Sequence, residues 1–399
     1  MYYLIYGGYP MLFVYTTFFL VYFYDRVYNK GQGFTRFEWW AMIMLTYILV
    51  VSGVMANIYY GQPIFTGMKS EKSWLAILSG FLWFYMLKTK AIDLSIVKDA
   101  LLLGAWVQLP VFMTMVITMN PNKYNGTLWV YCNSVKGGCQ FEFDIMVFSF
   151  ASIYYFIRFV RTNKLWFGVF FVIFYSYIFF VNQKRGTSLA LLGTVGLYFL
   201  IYQSWDKIIY YTLLSVTVLV AGVTLLYYIR PDIIARVLLE YGDVVAVLTG
   251  HHVAEASAEA RIRESAIAFK YFDRNHFSWL FGNGKTDHDW AGQPPDLYHY
   301  YPSDIGIIGI IWQFGVVGFL LGFYQYYLVF RHHMRIKSFK KSSFYQAILF
   351  FLVFFIVRGI PTGGSWFDPG IATAATFVVL HYFFYYIELH PERGYVRPV

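Results

Sequence analysis

Long apolar runs follow one another along this chain, with only short polar connections between most of them. They lie near 2–24, 39–59, 74–89, 96–119, 144–160, 165–181, 188–203, 208–229, 304–328, 344–358 and 369–387. A bilayer core of about 30 Å takes roughly 20 apolar residues wound as a helix. The composition agrees, with 58% hydrophobic and 13% charged residues, where soluble chains carry about 25% charged residues. The expected fold is an all-α polytopic membrane protein with eleven transmembrane helices, or twelve if one escapes the count. Tyr and Trp gather at membrane–water interfaces, so most of the aromatic content is expected to be belt and packing. Met1–Tyr24 lacks a basic leader and a small-residue cleavage site, and it reads as a retained span.

One polar stretch breaks the pattern. Arg230–Ser303 separates the eighth and ninth runs. It divides the chain into eight helices over 1–229, a large helical loop over 230–303, and three helices with a tail over 304–399. Basic residues set the orientation. With the cluster Arg331 to Lys341 placed in the cytoplasm, alternation assigns 17 Lys/Arg to cytoplasmic segments and seven to the short outer loops. The N-terminus is then outside, the C-terminus inside and the large loop outside. The two cysteines, Cys132 and Cys139, fall on an outer loop, where an oxidising compartment permits a disulfide between them. Two cysteines without nearby histidines make a poor zinc set, and no metal site is expected.

Within the large loop, the apolar spacing of 233–248 predicts a surface helix ended by Gly250. A second helix is expected from about Glu255 to Asp273, with Ile262, Ala266, Phe269 and Phe272 as its apolar face. Arg261, Arg263, Glu264 and Lys270 would then occupy its remaining surface. Gly282-Asn-Gly284-Lys285 follows as a turn. It has no preceding strand, so a dinucleotide fingerprint is not expected. The loop carries seven Lys/Arg against ten Asp/Glu and is therefore no general anion trap. The net charge of +9 resides mostly in the connections and does not imply nucleic acid.

Cations at the outer boundary are more telling. Lys184 and Arg185 sit in a short connection between two runs. Arg358 follows the unbroken run Ile348–Val357, and Asp304 opens the span after the loop. Ionisable groups at such depth are costly and often functional, although long basic side chains also snorkel to headgroups. Several cations beside the outer leaflet suit a lipid-linked pyrophosphate, which arginine grips through its planar fork of donors. No Gly-x-x-x-x-Gly-Lys-Ser/Thr segment implies ATP.

Three segments resemble the O-antigen ligase and polymerase superfamily of bacterial membrane glycosyltransferases. They are Gln183-Lys-Arg185-Gly-Thr-Ser188 with its following apolar run, Arg263 with the later Gly282-Asn-Gly284, and Asp304 to Gly318 leaving the loop. The match covers roughly residues 180–330. It implies transfer of a glycan from a polyprenyl pyrophosphate carrier to a sugar hydroxyl at the outer face of the bacterial inner membrane, without cofactor, metal or nucleotide. Arg185 and Arg263 would bind the pyrophosphate. Arg358, Lys184 and Arg261 are weaker candidates from charge and position. His299 or Asp304 would act as base or orient the acceptor. Ligases of the family usually show His-Asn where Asp304 stands, and an aromatic residue where Ile267 stands; the differences favour a polymerase. The expected partners are lipid-linked oligosaccharides, membrane lipid and a chain-length regulator. The competing readings are an O-antigen ligase acting on lipid A–core and a flippase for the same lipid. A metal-dependent enzyme with an acidic pair in its first outer loop fits poorly, since residues 60–73 offer only Glu71.

Overall fold

The computed structural model describes residues 16–17, 19–24, 34–119, 123, 130–133, 138–141, 145–182, 185–203, 256–287, 289–298, 300–335, 342–362 and 371–389, with isolated positions between 207 and 228. Nearly all of these are helical. Among the described residues, four helices, Arg36–Tyr60, Leu94–Thr118, Pro302–Met334 and Ser343–Ile360, are long and apolar enough to cross a membrane. The chain forms two compact units, residues 1–97 with 257–399 and residues 98–256.

The first unit draws on both ends of the chain. Helix α1 (Arg36–Thr46) starts at Thr35, whose side chain and backbone form a reciprocal capping box with Glu38. Glu38 also accepts a hydrogen bond from the Tyr22 hydroxyl. A π-helical stretch, Tyr47–Val51, carries the rod into α2 (Ser52–Tyr60). Gly61 ends α2 in the left-handed conformation at φ +76°. Helix α3 (Ile64–Ser70) then folds back against α2, where a Cβ on Gly67 would stand 2.8 Å from the Gly53 Cα. A 3-10 turn (Lys72–Ile77) leads into α4 (Leu78–Lys88).

Helix α5 (Leu94–Thr118) runs into the second unit. That unit holds a hairpin of β1 (Val130–Asn133) and β2 (Gly138–Phe141), then α6 (Met146–Thr162), α7 (Leu165–Ser176), a π-helical stretch (Tyr177–Asn182) and α8 (Arg185–Tyr202). Asn163, at φ +52°, closes α6 and reverses the chain into α7. Aromatic rings fill the space between these helices. Trp106 meets Phe174 at 4.9 Å and donates its indole N–H to the Tyr155 hydroxyl at 2.7 Å.

The chain re-enters the first unit with α9 (Ala256–Arg274), the short α10 (Ser278–Phe281), 3-10 turns at Pro295–Leu297 and Pro302–Ile305, then α11 (Gly306–Arg335), α12 (Ser343–Thr362) and α13 (Ile371–Leu389). Helix α13 packs on α4 and α12, and α11 on α1 and α12. Some of the polar atoms inside this bundle pair with one another. The Trp40 indole donates to the Leu321 carbonyl at 2.7 Å, and His381 pairs with Gln325 at 2.6 Å. His381 is thus a packed residue, as its place in an apolar run suggests. The second loop helix is present as α9. The surface helix expected over 233–248 and most of the run at 208–229 lie outside the described residues.

Candidate functional site

Of the four residues that spacing places on the apolar face of α9, Phe272 is buried, whereas Ile262, Ala266 and Phe269 are exposed. Ile262 is 72% exposed and Phe269 48% exposed, whereas Glu264 is only 3% exposed. The buried stripe is Glu264, Ala268, Tyr271 and Phe272, spaced i, i+4, i+7 and i+8 on one helical face. Tyrosine decides the difference. Tyr271 packs edge-on to Tyr60 at 5.8 Å and to Trp312 at 6.4 Å, and Tyr300 meets Trp312 at 4.6 Å. These rings, with Leu297 and Ile305, form one core beneath α9. That core holds the loop exit against the loop helix, and Glu264 lies at its edge.

The surroundings of Glu264 are unusual. The backbone N–H of Tyr301 hydrogen-bonds its carboxyl, Asp304 faces it as a like charge, and Arg263 and Arg261 face it as opposite charges. Its Oε2 has no hydrogen-bond partner among the described residues, and neither has the buried Tyr300 hydroxyl. Burial, reinforced by Asp304 and opposed by the arginines, pushes the Glu264 carboxyl up to about 7. Asp304 itself is exposed on the 302–305 turn, with its N–H bonded to the Tyr301 carbonyl at 2.9 Å. Gly309 lets that turn sit on α11, because a Cβ there would stand 1.8 Å from the Pro302 carbonyl.

The Gly-x-Gly segment also has a clear role. Helix α11 breaks at Gly315, where φ is +67°, and residues 282–287 wedge into the break. The Asn283 N–H donates to the Trp312 carbonyl at 2.7 Å and the Gly284 N–H to the Gln313 carbonyl at 3.1 Å. The Asn275 side chain holds the Asn283 side chain at 2.5 Å. On the far side, the Lys285 N–H donates to the Ser52 hydroxyl at 3.1 Å. The Gln62 carboxamide takes the Asp287 N–H at 2.8 Å and gives its own N–H to the Lys285 carbonyl at 3.1 Å. Only glycine permits this approach: a Cβ on Gly282 would lie 2.2 Å from the Gln313 carbonyl, and one on Gly284 2.2 Å from the Ser52 carbonyl.

Glu71 closes the arrangement. It is 0% exposed, and its Oε1 accepts from Gln313 at 2.6 Å and Ser52 at 2.9 Å. Burial raises this carboxyl, while the Lys285 charge and the two hydrogen bonds oppose the shift. The sequence gives little sign of it. A lone glutamate between two runs reads as solvated, although an isolated glutamine inside an apolar run, Gln313, demands a buried partner.

The expected site residues are therefore distributed as follows. Arg261, Arg263 and Asp304 come together around Glu264, which had been expected on the open surface of α9. Arg358 is half-buried near the end of α12, a helix that packs on the 302–305 turn. The backbone of Arg185 opens α8 in the second unit. His299 and Lys184 lie outside the described residues, as does His288. In the hairpin, Cys132 and Cys139 are directly opposed Cα partners. No family model matches the chain, and no curated protein matches it either.

Proposed function

We propose that this chain is a bacterial surface-polysaccharide polymerase of the cytoplasmic membrane, with its N-terminus outside and its C-terminus inside. It transfers a glycan from a polyprenyl pyrophosphate carrier to a sugar hydroxyl of a second lipid-linked repeat unit. The observation that supports this reading best is the grouping of two arginines with two carboxyl groups. Glu264 on α9 feels the charges of Arg261 and Arg263 on its own helix and of Asp304 at the start of a long apolar helix, 40 residues on. Glycosyl transfer from a pyrophosphate needs both elements. Cations stabilise the negative charge that develops on the leaving group, and a carboxylate or imidazole takes the proton from the attacking hydroxyl.

In this reading Arg185 and Arg263 bind the pyrophosphate, with Arg358, Lys184 and Arg261 as further candidates. Asp304 and His299 hold or activate the acceptor. Arg185→Ala and Arg263→Ala should abolish chain extension while the protein still accumulates in the membrane; normal glycan length in both would remove the pyrophosphate assignment. Glycan gels of a deletion strain separate the rivals. Lipid A–core bearing a single repeat unit indicates a polymerase, and full polymer stranded on its lipid carrier indicates a ligase. Repeat units confined to the cytoplasmic leaflet indicate a flippase.

A further inference from the structure

We infer that Glu264 is the group that accepts the proton of the attacking sugar hydroxyl, with the exposed Asp304 orienting that acceptor beside it. The inference rests on the glycosyl-transfer reading above and assigns a residue to its proton step. A carboxyl buried with one oxygen unsatisfied carries a desolvation cost, and Glu264, unlike the also buried Glu71 held by Ser52 and Gln313, accepts no side-chain hydrogen bond among the described residues to offset it. Such groups cluster where chemistry uses them. Glu264 lies next to Arg263 in sequence, under the turn that carries Asp304, with the Tyr300 hydroxyl buried and unpartnered close by. Among the described residues, the charged and titratable groups acting on it are Arg261 and Arg263 on its own helix and Asp304 and Tyr300 on the exit segment.

A general base works best when its affinity for protons matches the working pH. A carboxylate in open water falls short of that near neutrality, and a buried one comes closer. The step balances within the two substrates. The acceptor O–H bond breaks and its proton passes to the Glu264 carboxylate. The oxygen's electron pair forms the bond to the anomeric carbon. The anomeric carbon–phosphate oxygen bond breaks, and its electrons leave with the pyrophosphate. Glu264 returns the proton to water before the next transfer.

The test uses membranes of a deletion strain complemented with the full chain, carrying their own lipid-linked repeat units, with glycan length followed across pH. Wild type should lose activity on the acid side with a midpoint near 7. Glu264→Gln keeps an acceptor for the Tyr301 N–H and should slow extension at least ~100-fold, the lower range for loss of a general base. Glu264→Asp should retain a residual rate whose acid limb is displaced. Glu264→Gln membranes that extend glycan normally, with the acid limb unchanged, would overturn the assignment. If Glu264→Gln fails to accumulate, Glu264→Asp decides alone: a displaced limb supports the role and an unchanged limb overturns it. Arg185→Ala and Arg263→Ala run in parallel. If they extend normally, the pyrophosphate assignment falls, and if membranes of the uncomplemented deletion strain extend normally, the glycosyl-transfer reading falls. If the two arginine variants stop while Glu264→Gln proceeds with an unchanged limb, only the Glu264 role falls.

Discussion

At Glu264, burial and charge give a sign that can be measured apart from any activity. Its carboxyl is raised from 4.5 to about 7 in the folded chain, so the folded state binds the proton more tightly than the unfolded one. Stability should therefore fall as pH rises from about 4.5 to about 7, and Glu264→Gln should flatten that slope. Thermal unfolding midpoints of the two proteins in detergent, taken across this range, check it; parallel curves would contradict the burial. Glycine gives a second contrast at the same scale. Gly284 is left-handed at φ +73°, with the Ser52 carbonyl in the way of any Cβ, whereas Gly196 in α8 has nothing within 4 Å. Gly284→Ala should cost about 2–4 kcal/mol, and Gly196→Ala should be neutral or stabilise by up to about 1 kcal/mol. Shifts in unfolding midpoint distinguish them.

Among the elements, the broken helix α11 depends on what fills its break. Glu71→Gln keeps an oxygen for Ser52 and Gln313 and should change stability by no more than about 1 kcal/mol. Glu71→Leu strands both buried donors and should cost about 3 kcal/mol. Equal midpoints for the two variants would mean the contacts are dispensable. This element also marks the limit of what the chain reveals before folding. Apolar runs are local, and the described helices fall on them: Arg36–Tyr60 on the run at 39–59, Pro302–Met334 on that at 304–328. The glycines at 282 and 284 were visible as a turn, and Arg263 and Asp304 as charges of interest. The partners of those residues were not visible, because they come from 29 to 233 positions away, as with Gln313 for Gly284 or Ser52 for Lys285. Apart from Phe272, the buried side of α9 departs from its apolar spacing for a related reason. Hydropathy favours Ile262 and Phe269, while shape and ring edges favour Tyr271, and Glu264 is carried inward with it.

For the whole molecule, the pairing of Cys132 with Cys139 across the hairpin leads to the expectation that they are joined on the outer side of the cytoplasmic membrane in the proposed orientation. Thiol titration of the denatured, unreduced protein should find no free thiol, and two would refute the bond. A fluorescent protein fused after Val399 should glow, and alkaline phosphatase placed in the 230–255 segment should be active; the opposite pattern would invert the proposed orientation. The wedge at Gly315 has a further consequence, for engineering. Carbonyls of a long apolar helix are satisfied there by amides of the loop, and the loop is anchored in turn to the N-terminal rod through Gln62 and Ser52. Loop, rod and helix are one structural unit. A chimera that exchanges residues 256–305 alone would leave the break in α11 unplugged, so a transplant that alters specificity must carry the matching stretches 52–71 and 306–318 with it.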